Sequence, residues 1–190
     1  MSNILISKLP DSLEIDGRFY KIDADFRTAI RTLLAFEDPS LASIEKNLVL
    51  YENLYIEKPP DARGAILKGI WFLNGGKDQE EPDGPRLFSW AKDANLIYSA
   101  FHQTHHIDLE STPFLHWWKF LALFMDLGSD TAFCALVNLR KRVKTGKATK
   151  EERAEAREMG DMFTVDEIDD RTIEEIEAER KFLEMVNRRD

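Results

Sequence analysis

Apolar residues recur along most of the chain at intervals of three and four, the spacing of one helix face; only near the N-terminus do they alternate as in a strand. Leu13, Glu14 and Ile15, then Phe19 to Ile22, flank Asp16-Gly17, a favoured pair for a tight turn, and predict a β-hairpin. Ile4, Leu5 and Ile6 predict a third short strand. So small a sheet cannot stand alone and must lean on helices. Asp25 can cap a helix running to about Glu37, with Phe26, Ala29, Ile30, Leu33 and Phe36 on one face. Asp38-Pro39-Ser40 breaks that pattern and starts the next helix, whose apolar stripe is Leu41, Ile44, Leu48 and Tyr51. After Pro59-Pro60-Asp61 a helix of about 61–74 gathers Ala62, Ala65, Ile66, Gly69, Ile70 and Leu73, small residues that suit close approach of a neighbour.

Residues 75–86 hold five glycines and prolines and no large apolar group, and predict a mobile loop. A helix of about 88–103 follows, carrying Trp90, Ala94, Ile97, Tyr98 and Phe101. Thr112-Pro113 then reads as a helix start, a capping hydroxyl followed by proline in the first turn. Leu127-Gly128-Ser129-Asp130 ends that helix and opens another, giving a helical hairpin of about 113–127 and 130–143 with almost no loop. Adjacent Trp117 and Trp118 offer large apolar surface on two sides of a helix, which places them at the centre of the fold. Residues 150–160 and 171–188 predict charged helices; the second carries Ile173, Ile176, Leu183 and Val186 on one stripe and Ala178, Phe182 and Met185 on another. Arg180 interrupts the first stripe, which weighs against a continuous coiled coil and leaves docking on a partner helix open. The expected fold is mainly α, a multi-helix core of residues 1–145 with an N-terminal β-hairpin, and a charged helical C-terminal extension of residues 146–190.

Composition narrows the class. With 43% hydrophobic and 32% charged residues in 190, the chain is an ordinary globular domain, and its apolar run around Trp117 is too short to span a bilayer. No charged-then-apolar leader opens the sequence, and its one cysteine, Cys134, sits among apolar neighbours as a buried thiol; both suit a reducing cytoplasm. The net charge of −9 is uneven: residues 1–139 sum to −7, 140–150 to +6 and 151–190 to −8. So acidic a chain is a poor ligand for nucleic acid or anionic membrane. The basic run from Arg140 through Lys150 reads first as cations complementing a helix C-terminus, then as a surface for an acidic protein segment; no aromatics interleave for base stacking.

Candidate chemistry is sparse. His102 and His106 stand one helical turn apart, with His105, Asp108 and His116 nearby, a spacing that can share a metal. Yet no glutamate lies between them as a base, and histidines also suit an exposed helix end. The aspartates at 161, 166, 169 and 170 lack the mid-loop glycine of a calcium loop. Phosphate-loop and nucleophile-elbow patterns are missing. The expectation is therefore a non-enzymatic protein without cofactor or metal. Its contacts would come from apolar anchors: Trp117 and Trp118 should one be exposed, and Ile176, Phe182 and Leu183 on the extension.

One string ties these elements to a known family. Phe88, Ala91, Asp93, Ala94, Ile97, Tyr98, Ala100 and Phe101, then Ile107, Asp108 and Leu109, then Leu115, His116, Trp117, Trp118, Lys119 and Phe120, with Leu127, resemble the bacteriophage tail-module family labelled gene product fifteen. The N-terminal hairpin, Tyr51-Glu52, and Trp71-Phe72 leading to Gly75-Gly76 extend the resemblance over roughly residues 5–188. It implies a protein of the tail-morphogenesis cluster of long-tailed phages and prophages, placed like a tail assembly chaperone beside the tape-measure gene. The implied partner is the tape-measure protein, held until tail-tube subunits polymerise around it in the host cell cytoplasm. The tail-tube protein and self-association are further contacts left open, and neither nucleic acid nor membrane is expected. The alternative is a minor tail or connector component retained in the virion. The family brings no catalytic residues to carry over.

Overall fold

The computed structural model describes residues 5–78 and 84–165. Its first regular element is the expected hairpin: β1 (Ser12–Ile15) pairs antiparallel with β2 (Arg18–Lys21), Ser12 opposite Lys21 and Ile15 opposite Arg18. Both turn residues take positive φ, 48° at Asp16 and 77° at Gly17, as a two-residue hairpin turn of Asp-Gly requires. Leu13, Ile15 and Tyr20 enter the core, whereas Phe19 and Lys21 alternate outward. The third strand does not form. Residues 5–7 are turn and bend, and β2 is instead continued by an antiparallel bridge between Ile22 and Tyr55.

Three helices of equal length follow: α1 (Phe26–Glu37), α2 (Ser43–Leu54) and α3 (Ala62–Leu73). Asp25 caps α1 as expected, accepting the Arg27 amide at 2.9 Å. Asp38 and Ser40 do not start α2. Asp38 turns back to accept the Ser40 amide at 2.8 Å, and the helix begins at Ser43, where Glu45 receives the Ala42 amide at 2.8 Å. The stripe of Leu41, Ile44, Leu48 and Tyr51 is also not the packed face. Lys46, Leu50 and Leu54 are buried, while Ile44 and Leu48 are exposed. The small residues of α3 explain the choice: a methyl at Gly69 would run into Leu50, so α2 turns Leu50 and Leu54 into that gap.

α4 (Ala94–His105) is shorter than the sequence suggests, because side chains claim the preceding amides. Glu37, at the end of α1, accepts the Ser89 hydroxyl and the Trp90 amide, each at 2.8 Å, and the Ala91 amide at 3.1 Å, and it pairs with Arg86. Asp93 accepts the Ser89 amide at 2.9 Å. Residues 90–93 are held as a turn, and the helix starts after them.

The helical hairpin also needs correction. α5 (Trp117–Met125) starts at Trp117 rather than Pro113, since the residues before it are extended against the entry to α1. Phe26 donates its amide to the Leu115 carbonyl at 2.9 Å, and Trp117 to that of Ala24 at 2.8 Å. α6 (Ala132–Lys144) is capped by Thr131, not Ser129, so residues 126–131 form a real loop between the two helices. α7 (Lys150–Met159) opens with a reciprocal Thr149–Glu152 cap and packs on α6, and a 3-10 turn, Gly160–Met162, closes the described chain. The described residues are thus mainly α, with seven α-helices and one two-stranded hairpin.

Aromatic rings fill the centre. Phe120 stacks on Phe26, Phe101 and Trp117 with centroids 5.0, 4.6 and 5.4 Å away. The adjacent indoles both reach the end of α3: Trp117 donates to the Leu73 carbonyl at 2.9 Å and Trp118 to that of Phe72 at 2.8 Å. Each buried ring thereby satisfies its one polar atom. Gly76, at φ 81°, lets the chain leave α3 beneath Trp118, whose ring would lie 2.7 Å from an added Cβ.

Candidate partner-binding groove

Part of the exposed apolar surface lies on one side of the hairpin. There, residues 7–11, the stretch from Lys21 to Ala24, Ile56, and the approach to α5 enclose a groove of about 620 Å³. The lining is mostly apolar, with Leu9, Ile22, Ala24, Ile56 and Phe114 beside Lys8, Asp11, Lys21, Asp23, His116 and Lys119. Ile56 and Phe114, 60% and 57% exposed, present large apolar side chains to this groove. Sequence puts them there for local reasons. Ile56 lies just past the end of α2, held by its amide on the Lys21 carbonyl at 3.0 Å; Phe114 follows Pro113 in the extended run before α5.

His116 joins this surface to the interior. Its Nδ1 accepts the Trp118 amide at 3.0 Å and caps α5, which leaves Nε2 to carry the proton and donate to the Pro10 carbonyl, 3.0 Å away. Burial pushes its pKa below the usual imidazole range and Lys119 pushes the same way, while the Pro10 carbonyl and Asp11 oppose. One neutral side chain therefore holds the N-terminal segment against the first turn of α5.

Neither tryptophan expected as an anchor lines this groove. Trp117 and Trp118 are 1% and 8% exposed, so these indoles are core groups and present no ring to a partner. Ile176, Phe182 and Leu183 lie outside the described residues. His102, His105 and His106 occupy the end of α4, where His106 takes the left-handed cap conformation and His105 Nε2 contacts the Leu123 carbonyl at 2.9 Å. Among the described residues, no group of three or more His, Cys, Asp or Glu side chains is placed to hold a metal ion. Nor is any described helix long and apolar enough to cross a membrane.

The basic run divides. Arg140, expected as a helix-end cation, is fully buried and bidentate on Asp93, at 2.6 Å to Oδ2 and 3.0 Å to Oδ1. Its other three N–H groups reach the carbonyls of Phe163 at 2.9 Å, Leu87 at 3.1 Å and Met162 at 2.6 Å, so all five donors are used. Arg142 pairs with Glu152 at 2.8 Å, and Lys144 bonds the Arg86 carbonyl at 2.8 Å. Lys141, Lys147 and Lys150 remain exposed. Lys141, Arg142 and Lys144 stand in the last turn of α6, as expected of cations at a helix end, while Arg140, Arg142 and Lys144 also tie segments together.

The chain matches the family model for Bacteriophage Gp15 protein over residues 5–165. It belongs to that family. No curated protein and no solved structure matches it. Membership points to a phage structural or morphogenesis protein. The Gp15 match ends where the described chain ends, and it covers every element above. Most family-like residues in the stretch from Phe88 to Phe120 are structural in this Gp15 protein: Ile97, Phe101, Trp117, Trp118 and Phe120 pack in one core, and Asp93 holds Arg140. The groove residues Phe114, Ile56, Lys21 and Lys119 were missed as site residues. The signal was available only in part, since an exposed aromatic after proline looks no different from a buried one until the fold is known.

Proposed function

We propose that this protein is a non-enzymatic tail assembly chaperone that transiently binds the tape-measure protein in the host cytoplasm while tail-tube subunits polymerise. Membership of the Gp15 family carries the reading, and it agrees with an acidic helical body that leaves an apolar groove open on its surface. The net charge of −9 keeps such a carrier soluble and self-repelling beside an aggregation-prone client. A groove anchored by two or three side chains suits release better than an extensive obligate interface.

Co-expression with the tape-measure protein tests this. The client is expected to stay soluble and to co-purify; failure of both, with this chain folded, would refute the proposal. Mass spectrometry of purified virions separates the chaperone from a retained tail component, which would be present at fixed copy number.

A further inference from the structure

We propose that the groove beside His116 is the docking site for an acidic polypeptide segment presenting a short apolar face, whose carboxylates meet Lys21 and Lys119. The occupant, a tail-module client, is taken from the function proposed above; the recognition chemistry stands on the groove itself. The described residues are close to neutral, with 21 lysines and arginines against 22 aspartates and glutamates. Inside the groove the balance tips toward cations. Lys8 is paired with Asp11 at 2.7 Å, and Asp23 gives one oxygen to the Thr28 hydroxyl at 2.6 Å and the other to the Asp25 amide at 3.2 Å. Lys21 and Lys119 are exposed, and neither makes an ion pair among the described residues. Two lysines without an ion-pair partner among the described residues thus flank an apolar lining, against the single remaining carboxylate of Asp23.

The surrounding surface fits an apolar face rather than a single ligand. Ile56 and Phe114 line the groove, and exposed Leu5, Ile6 and Phe19 lie within two residues of lining positions. A helix with one apolar stripe would rest it on this lining and carry glutamates toward the two amines. A basic helix of the same apolar face would bring like charges together, so the groove selects by charge as well as shape.

The test uses the full-length protein and two labelled synthetic helices that share one leucine and phenylalanine face, with glutamates on the polar side of one and lysines on the other. The glutamate peptide is expected to bind at least about tenfold more tightly at low salt, a preference that shrinks as salt rises. K21E/K119E should invert the preference, and F114S should weaken both peptides. All three positions are exposed, so urea midpoints should stay unchanged and show that the variants fold. Amide shifts are expected at residues 21–24 and 114–119. Equal affinity for the two peptides, or an unaltered preference in K21E/K119E, overturns the proposal. So does movement of the 114–119 signals in an I176S/L183S variant without peptide, which would give the groove to the chain's own C-terminal segment. If K21E/K119E still keeps co-expressed tape-measure protein soluble, the groove is not the client site and the chaperone reading stands. If wild type fails there too, that reading falls while the peptides still decide the groove.

Discussion

Replacing Arg140 by alanine deletes a guanidinium whose five donors all have acceptors and which has no exposure to water. The partners cannot easily rehydrate. Asp93, 3% exposed in its side chain, would keep its carboxylate with only the Ser89 amide for company, and the carbonyls of Leu87, Met162 and Phe163 would each lose a donor. Breaking a buried pair from one side costs about 3–5 kcal/mol, a large part of the 5–15 kcal/mol that holds a typical domain together. For a chain of this size that is a fall in Tm of roughly 6–20 °C. Lysine at 140 keeps the charge but offers three donors from a point rather than five in a fork, and should recover only part of the loss. Asp93→Asn with Arg140→Met removes both charges together and should cost less than the two single changes summed. Urea unfolding of wild type, R140A, R140K, D93N, R140M and the double variant supplies the numbers. A loss below about 1 kcal/mol in R140A, the range of exposed pairs, would refute the assignment of this pair as a dry tie between α4, α6 and the chain after α7.

Other expectations follow from single contacts. Because burial lowers the His116 pKa, the unfolded chain takes up its proton first as pH falls; the stabilising contribution is whole above about pH 6.5 and drains away below it until the folded imidazole also protonates. H116N, whose amide oxygen can still cap α5, should flatten the slope of urea midpoint against pH between about 7 and 5; an unchanged slope would assign the titration to another group. G76A forces a side chain into a left-handed backbone and against the Trp118 ring, and should cost about 2–4 kcal/mol in the same assay. W118F leaves the Phe72 carbonyl without its donor, for an expected loss of about 1–3 kcal/mol; no measurable change would mean that water replaces the indole.

Sequence periodicity revealed the elements that own their signals. The Asp-Gly hairpin, the Asp25 cap, the small-residue face of α3 and the charged helix near 150–160 are local, and each formed as expected. Boundaries set from a distance were illegible. α4 starts late because Glu37, distant in sequence, holds the turn before it, and α5 starts late because residues 114–116 pair with the entry to α1. The buried face of α2 was decided by a gap at Gly69 rather than by its own stripe. Likewise Arg140 sits in a run of cations that looks solvated, and only the fold brings Asp93 to it. The groove is the extreme case, since its exposed rings and lysines come from separate stretches of chain and no one stretch announces them.

The imidazole at 116 belongs at once to the outside and the inside of the molecule, since it faces the cleft and pins the backbone from which the two central indoles project. Whatever fills that cleft therefore presses on a hinge pin of the architecture. Occupancy and rigidity become coupled quantities: a loaded carrier should melt later than an empty one, and its intrinsic fluorescence should report the cargo without any added label.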